Sequence, residues 1–456
     1  MNAVSLISLL TLFIALSARF ISSLGRPRGD SHKRGVLIVQ ASAVQKLAAH
    51  AKRSRLGWLT VAGVPIPPGD ETKHFKFIGA TGTGKSTAIR ELLASAIARG
   101  DRAIFADPDG GYLETFCDRY RGDMVLNPFE ADSAQWDLFA EIENSFDVDQ
   151  LASGLIPDCD DASAREWRGY SRTFLAAVIG GCRLADKANV ADLWRLLMIA
   201  TTEELRPFVA GTPAQPFLEP ENARMFGSIR SVTGSALAAL AYIQKQRAAP
   251  FSIRRWVQRV GRPGLLFIPY RAGQIAALRS VIATWMYLAI FEALNAPVER
   301  DQRLWFVVDE LDALGAIAGL KDALARLRKF GGRCVLGFQS AAQVSGTYGH
   351  SEAQTLVENC GNTLILRCSS SENGGTSQFA SRLIGEREVL RRQISRGRDR
   401  EAAFWSRGAR RSHNVSETRV IESAVMPSEL EQLPDLCGYL KTASSRVWQQ
   451  VDFSRR

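Results

Sequence analysis

The run Gly79-Ala-Thr-Gly82-Thr-Gly84-Lys85-Ser86 constrains this chain more than any other, because it fits G-x-x-x-x-G-K-[ST] in full. Its glycines let the backbone turn successive N–H groups onto phosphate oxygens, and the helix predicted from Ser86 to Arg99 aims its positive end at the same anion. Gly79, Gly82, Thr83, Gly84, Lys85, Ser86 and Thr87 are the expected cradle, with Lys85 reaching the β- and γ-phosphates and Ser86 holding Mg²⁺. A short β-like run, Phe75 to Ile78, precedes the motif. Gly100-Asp101 and a second run, Arg102 to Ala106, follow the helix, which makes one βαβ unit. Asp107 and Asp109 end that second strand at the ligand edge, where an Asp-Pro-Asp-Gly turn accounts for them equally well.

A phosphate cradle alone does not separate kinases, GTPases and ATP motors. Further along, Leu304-Trp-Phe-Val-Val308 is continuously apolar, as expected of a strand buried on both faces of a parallel sheet, and it ends in Asp309-Glu310. An Asp there holds Mg²⁺ through water, and the following Glu orients and deprotonates the attacking water, which suits ATP hydrolysis. An isolated Asp-Glu equally caps a helix start, but the buried strand and the upstream cradle favour the catalytic reading. A helical stretch, Leu320 to Phe330, then leads through Gly331-Gly332 to an apolar run, Cys334 to Phe338, tipped by Gln339. An uncharged amide at that tip suits sensing a γ-phosphate or positioning water, and it also suits an ordinary strand end.

Over a hundred residues without a clear strand separate Val125 from the next apolar run, Leu265 to Ile268, far more than a crossover needs, so an insertion is expected. Val190, Leu193, Trp194 and Leu197 recur at helical spacing after a candidate cap, Asn189, and Thr201 with Glu204 matches a capping box. Arg165 to Ile179 and Ala223 to Gln244 read as two more helices.

Charge is unevenly distributed. The chain of 456 residues carries a formal +10, yet nine Lys/Arg against Asp30 give residues 19–55 a net +8, and nine Arg against three acids give residues 387–413 a net +6. The remainder is mildly acidic. A polyanionic partner is expected. In the second stretch, arginines interleave with Phe404 and Trp405, which suits phosphate pairing and base stacking on single-stranded DNA and equally suits a solvated loop. Seven cysteines with no C-x-x-C pair indicate neither a disulfide framework nor a zinc site. Met1 to Ala18 holds no charge, and about 17 apolar residues at about 1.5 Å each barely span a bilayer core of about 30 Å unless Phe20 to Leu24 extend them. Cations follow this run and none precedes it, so a single N-terminal span is expected with the bulk of the chain cytoplasmic, and the basic segment beside it suits anionic lipid.

These segments, with Val125-Leu-Asn-Pro-Phe129 and Trp136-Asp-Leu138, Phe251-Ser-Ile-Arg-Arg-Trp256, Arg328-Lys-Phe-Gly-Gly332, Gly337-Phe-Gln-Ser340 and Leu433-Pro-Asp-Leu436, give the chain a resemblance to conjugation coupling proteins of the TraD/TrwB type, ATPases that feed DNA into a type IV secretion channel. The resemblance implies an α/β, RecA-like P-loop NTPase with an inserted all-α domain, ATP and Mg²⁺ as ligands, and assembly into a homo-hexamer at the inner membrane. Implied partners are a relaxase or relaxosome, its DNA strand, and the inner-membrane components of the secretion system. Arg328 is implied as an arginine finger toward a neighbouring subunit, although as a residue it also reads as a solvated helix position. Members of the family usually begin with two membrane helices, where this chain offers one apolar run. The expected organisation is a membrane anchor at 1–24, a basic juxtamembrane segment at 25–57, a motor domain at 58–140 and 248–456, and an inserted helical domain at 141–247. Glu310, Lys85, Gln339 and Arg328 are the expected catalytic set, and Ser86 and Asp309 the metal set. Two other functions fit the same motifs: an ATP-switched docking receptor for protein substrates of the channel, and an FtsK-like duplex DNA translocase.

Overall fold

A computed structural model of the chain describes residues 30–41, 58–159, 161–259, 264–296, 303–371, 374–399 and 410–454. The apolar run at 1–24, most of the basic segment at 25–57, and Phe404 and Trp405 lie outside these residues. The chain forms two units, one of residues 55–364 with 442–444, the other of residues 1–54, 365–441 and 445–456.

The larger unit is built on a sheet whose strands are β1 (Phe75–Ile78), β2 (Arg102–Pro108), β3 (Met124–Val125), β4 (Leu265–Tyr270), β5 (Leu304–Val308), β6 (Gly332–Phe338) and β7 (Asn362–Ile365), in the order β7-β1-β6-β5-β2-β4-β3. Pairing is parallel from β1 through β6, β5, β2 and β4 to β3, so the strands end at one common edge. Every residue of β1, β4, β5 and β6 is buried, which is why these strands are apolar without alternation. Two buried cations interrupt them: Arg333 in β6 pairs with Glu71, and the Lys76 ammonium donates to the carbonyls of Val357 and Cys360 at a helix end. Helix α1 (Lys85–Ala98) follows β1 and buries Ile89, Leu92 and Leu93. A 21-residue helix, Ile275–Asn295, is mostly apolar because most of it is a core element, with Val281, Ile282, Trp285 and Met286 no more than 1% exposed; its two charged residues are the exposed Arg279 and the ion-paired Glu292.

Between β3 and β4 the chain departs into helices. The chief ones are Ser145–Leu155, Ala162–Leu184, Val190–Met198, Thr202–Val209 and Ala223–Ala236. Two-residue strands that the sequence pattern does not reveal, Gln135–Trp136 and Pro250–Phe251, pair in parallel where the helical excursion leaves and returns, so its two ends lie side by side. Asn189 caps its helix by accepting from the Asp192 N–H, and Val190, Leu193 and Leu197 are buried. The expected capping box at Thr201 is only half formed. Thr201 accepts from the Glu204 N–H, but the Glu204 carboxylate takes Arg195 at 2.5 Å instead, because a charged donor binds it more strongly than a backbone N–H.

Buried charge ties the root of this excursion to the core. Arg254 is bonded at 2.7 Å to both Asp147 and Glu292. Glu141 accepts the Ile253 and Arg254 N–H groups at 2.7 and 2.8 Å and the Trp136 indole at 3.1 Å.

The smaller unit contains a long antiparallel ribbon, β8 (Glu386–Asp399) with β9 (Arg410–Ser423), whose register runs from Glu386↔Ser423 to Asp399↔Arg410. Asp30–Gly35 adds a third strand along Arg387 to Arg391. Residues 387–399 and 410–413, for which the sequence leaves a DNA-binding segment and a solvated loop equally open, are therefore strand. Their arginines obscured a β-branched set (Val389, Ile394, Val415, Val420, Ile421), and the cross-strand acid Glu422 offsets part of the charge by taking Arg387 at 2.8 Å and Arg391 at 3.1 Å. In the same unit β10 (Cys437–Lys441) is antiparallel to β11 (Trp448–Asp452), which pairs in parallel with Ile38–Gln40.

Arg254→Ala strands two buried carboxylates and should cost about 3–5 kcal/mol of stability at neutral pH, read from urea unfolding. The Asp147 carboxyl is held down to about 2, chiefly by the Arg254 hydrogen bond, so its share of wild-type stability is complete above pH 3.8 and disappears as pH falls toward about 2.

Candidate nucleotide site

The site lies where β1, β5 and β6 end. The Gly79 N–H bonds the Phe338 carbonyl at 3.3 Å, which closes the start of the loop against the neighbouring strand. Gly82 and Gly84 take φ of +75° and +109°, values that side chains resist, and Gly84 caps α1 in the left-handed conformation. This turns the first backbone N–H groups of α1 and the loop toward one concavity, a ready anion site. Lys85 is 7% exposed, and its ammonium curls back to the Gly79 carbonyl at 2.8 Å. The Thr83 hydroxyl donates to the Ala80 carbonyl at 2.7 Å and pins the loop from within. Thr87 stands one residue further along α1, on its first turn.

Asp309, the first residue after β5, is 2% exposed. Its Oδ2 accepts the Ser86 hydroxyl at 2.6 Å and the Tyr112 hydroxyl at 2.7 Å, while Oδ1 is buried without a hydrogen-bond partner. A carboxylate with one orphaned oxygen and the other bonded to a serine hydroxyl, at an anion cradle, is a donor set for a hard divalent cation, which takes one or two protein oxygens and completes its shell with phosphate and water. Gly337 on the adjacent strand makes room for it. A Cβ there would stand 2.3 Å from the Asp309 carbonyl oxygen and 2.8 Å from Oδ1.

Glu310, Gln339 and Thr81 form a chain across the mouth. The Gln339 amide donates to Glu310 at 3.2 Å and accepts from the Thr81 hydroxyl at 2.7 Å. Burial, then the charges of Asp309 and Asp312, raise the Glu310 carboxyl above its ordinary value. Asp107 faces the same edge but is engaged locally, accepting the Tyr112 and Leu113 N–H groups at 3.0 and 2.7 Å. Burial leads the causes that push it up to about 6. It is a helix cap within the turn that Asp109 and Gly110 close at positive φ.

Arg328 is not brought to this edge. It stands exposed in the 3₁₀ turn Leu327–Phe330, before β6, whereas Gln339 follows β6. At about 3.3 Å per residue, seven strand residues separate the two by about 23 Å. Its charge instead reaches His74, which precedes β1 and is held down to about 4 by burial first and then by Arg333 and Arg328. Sequence reasoning also missed two buried phenols at the site: Tyr112, and Tyr270, whose hydroxyl is unpartnered and raised by burial and then by Glu310, Asp309 and Asp107. Neither belongs to a motif. Only Tyr270, at the tip of a buried strand, offered a positional hint.

The sheet, cradle and inserted helices define a P-loop protein of the α/β nucleotide-binding class with a helical domain. The chain belongs to the type IV secretion-system coupling proteins, since the family model for their DNA-binding domain matches residues 58–453. Coupling protein TraD of Escherichia coli (strain K12) is 31% identical over 392 residues, 84% of this chain and 52% of TraD, so the chain spans about half the length of that relative. Among solved structures, the bacterial conjugative coupling protein TrwBdeltaN70 superposes with a TM-score of 0.82 at 32% identity, covering 95% of this chain and 96% of that one. Plasmid coupling protein TrwB in complex with ADP and Mg²⁺ superposes at 0.80 with 33% identity over the same shares.

Gly337→Ala should drive Asp309 from its place. Turnover of nucleotide is expected to fall about a hundredfold, from a displacement near 1 Å, with about 1–3 kcal/mol of lost stability from overpacking, read by a phosphate-release assay and urea unfolding.

Proposed function

We propose that this chain is an ATP-hydrolysing motor, anchored in the bacterial inner membrane by one N-terminal span, that couples relaxase-bound DNA to a type IV secretion channel during conjugation and pumps the single strand. The observation that carries the proposal is the meeting of Ser86 and Asp309 at 2.6 Å beside the Thr81–Gln339–Glu310 chain, which joins a phosphate cradle to a buried acid and a base. Solved TrwB structures in complex with an ATP analogue and with ADP and Mg²⁺ support ATP and Mg²⁺ as its ligands. The family's DNA-binding description and the net +6 of residues 387–413 support DNA as cargo.

ATP brings the phosphoryl group, and Mg²⁺ neutralises charge on its oxygens. Gly79 to Gly84 offer backbone N–H groups, and Lys85 turns from the Gly79 carbonyl toward the terminal phosphates. Ser86 and Asp309 hold the cation. Glu310 accepts a proton from the attacking water, which Gln339 positions. Because Arg328 stands at the opposite end of β6 from Gln339, it can serve as a finger only for the nucleotide of another copy, which accords with a homo-hexamer. A relaxase or relaxosome and the inner-membrane components of the channel complete the assembly.

ATP hydrolysis measured with single-stranded DNA, duplex DNA and no DNA tests this reading. Stimulation by single strands supports it, duplex-only stimulation favours an FtsK-like translocase, and no stimulation favours a docking receptor. Lys85→Ala should abolish turnover, and Glu310→Gln should bind ATP yet hydrolyse it about a hundredfold or more slowly. As a base Glu310 must be ionised, so wild-type turnover should decline as pH falls through its raised pKa, and residual Glu310→Gln activity should lack that limb.

Arg328→Ala should bind ATP but turn it over poorly. In verified mixed oligomers with Lys85→Ala, some interfaces pair an intact cradle with an intact Arg328, so activity should partly return. Absence of rescue counts against the finger.

A further inference from the structure

Tyr112 is 1% exposed and sits at the centre of a tightly determined cluster. Its ring stacks on Phe105 at 5.4 Å, and the Arg90 guanidinium lies 5.6 Å from its centroid on the other element, α1, one turn beyond Ser86. Its backbone is fixed by Asp107, which accepts the Tyr112 N–H at 3.0 Å. A phenylalanine would fill the same space. The hydroxyl must therefore be accounted for separately, because burying it costs free energy unless it is bonded, and here it donates at 2.7 Å to Asp309 Oδ2.

That oxygen is shared with Ser86 at 2.6 Å, while Oδ1 has no hydrogen-bond partner. A Ser86 hydroxyl that turns toward a cation leaves Oδ2 without its second donor. Tyr112, whose hydroxyl also meets Ser86 but whose ring is held by Phe105 and Arg90 and whose backbone is held by Asp107, remains. We infer that Tyr112 is a positioning residue for the cation site, its hydroxyl fixing Asp309 through Oδ2 and so reserving Oδ1 for the metal. This rests on the nucleotide and Mg²⁺ reading given above. Donors behind a metal-binding carboxylate orient it, and their loss weakens metal affinity more than it weakens binding of the rest of the ligand.

The test uses the full chain with Tyr112→Phe, which keeps the ring. Mn²⁺ replaces Mg²⁺ so that binding is read by paramagnetic resonance in the presence of ADP, and ADP affinity is read separately in EDTA. Tyr112→Phe should weaken Mn²⁺ about tenfold and leave metal-free ADP affinity unchanged, and high Mg²⁺ should restore most of kcat. In an Asp309→Asn background the same change should add nothing. Unchanged Mn²⁺ affinity, an equal loss of metal-free ADP binding, or additive losses with Asp309→Asn would overturn the assignment and leave Tyr112 as packing. A wild-type chain that binds no Mn²⁺ with ADP defeats the underlying nucleotide reading instead, so the two failures are distinct.

Discussion

The buried carboxylate of Asp309 is the constraint on which the site depends. A carboxylate 2% exposed is tolerable only where donors or a cation meet it, and Ser86, Tyr112 and the glycine at 337 all answer that requirement from different elements. The Ser86 contact joins positions 223 residues apart, so the βαβ unit of the cradle and the strand that carries Asp309 must pack in register before either has its chemistry. Parallel pairing does this by bringing the ends of β1, β5 and β6 to one edge.

A second buried set of charges has a different effect. Arg254, Asp147, Glu141 and Glu292 lie where the helical excursion leaves and rejoins the sheet, and each is bonded within the set or to backbone N–H groups. Apolar residues at these positions would bury as much surface. What the ions add is direction, because a fork of guanidinium bonds fixes where the return strand Pro250–Phe251 lies against Gln135–Trp136. A long insertion rooted in this way leaves the sheet's ligand edge undisturbed.

Polarity across the sheet also separates two kinds of residue. The C-terminal ends of the strands and the segments just after them carry Gly79 to Lys85, Asp107, Asp309, Glu310 and Gln339, whereas the opposite edge carries His74, Asp101, Arg102 and Arg333 in fixed ion pairs and hydrogen bonds, among them Trp305 to Asp101 at 2.9 Å. Arg328 belongs to that opposite edge. An exposed cation there has no part in its own cradle.

How much of this was legible in sequence depends on the range of the interaction. Period and composition alone marked Phe75–Ile78, Leu304–Val308 and the helix after the cradle, because burial on both faces demands unbroken apolar runs and the glycines of the loop demand positive φ. The family resemblance was legible for the same reason, since its motifs are local. Tertiary structure decided the rest. Thr201 and Glu204 look like a reciprocal cap until Arg195 competes for the carboxylate, and arginine-rich strands at 387–399 look like a loop until the cross-strand Glu422 offsets part of their charge. Asp107 was ambiguous until its carboxylate was found capping Tyr112 and Leu113. Tyr112 itself carries no motif, and only the three-dimensional meeting of Phe105, Arg90 and Asp309 distinguishes it from any other buried aromatic, because a hydrogen bond between residues 197 apart leaves no periodicity in the chain.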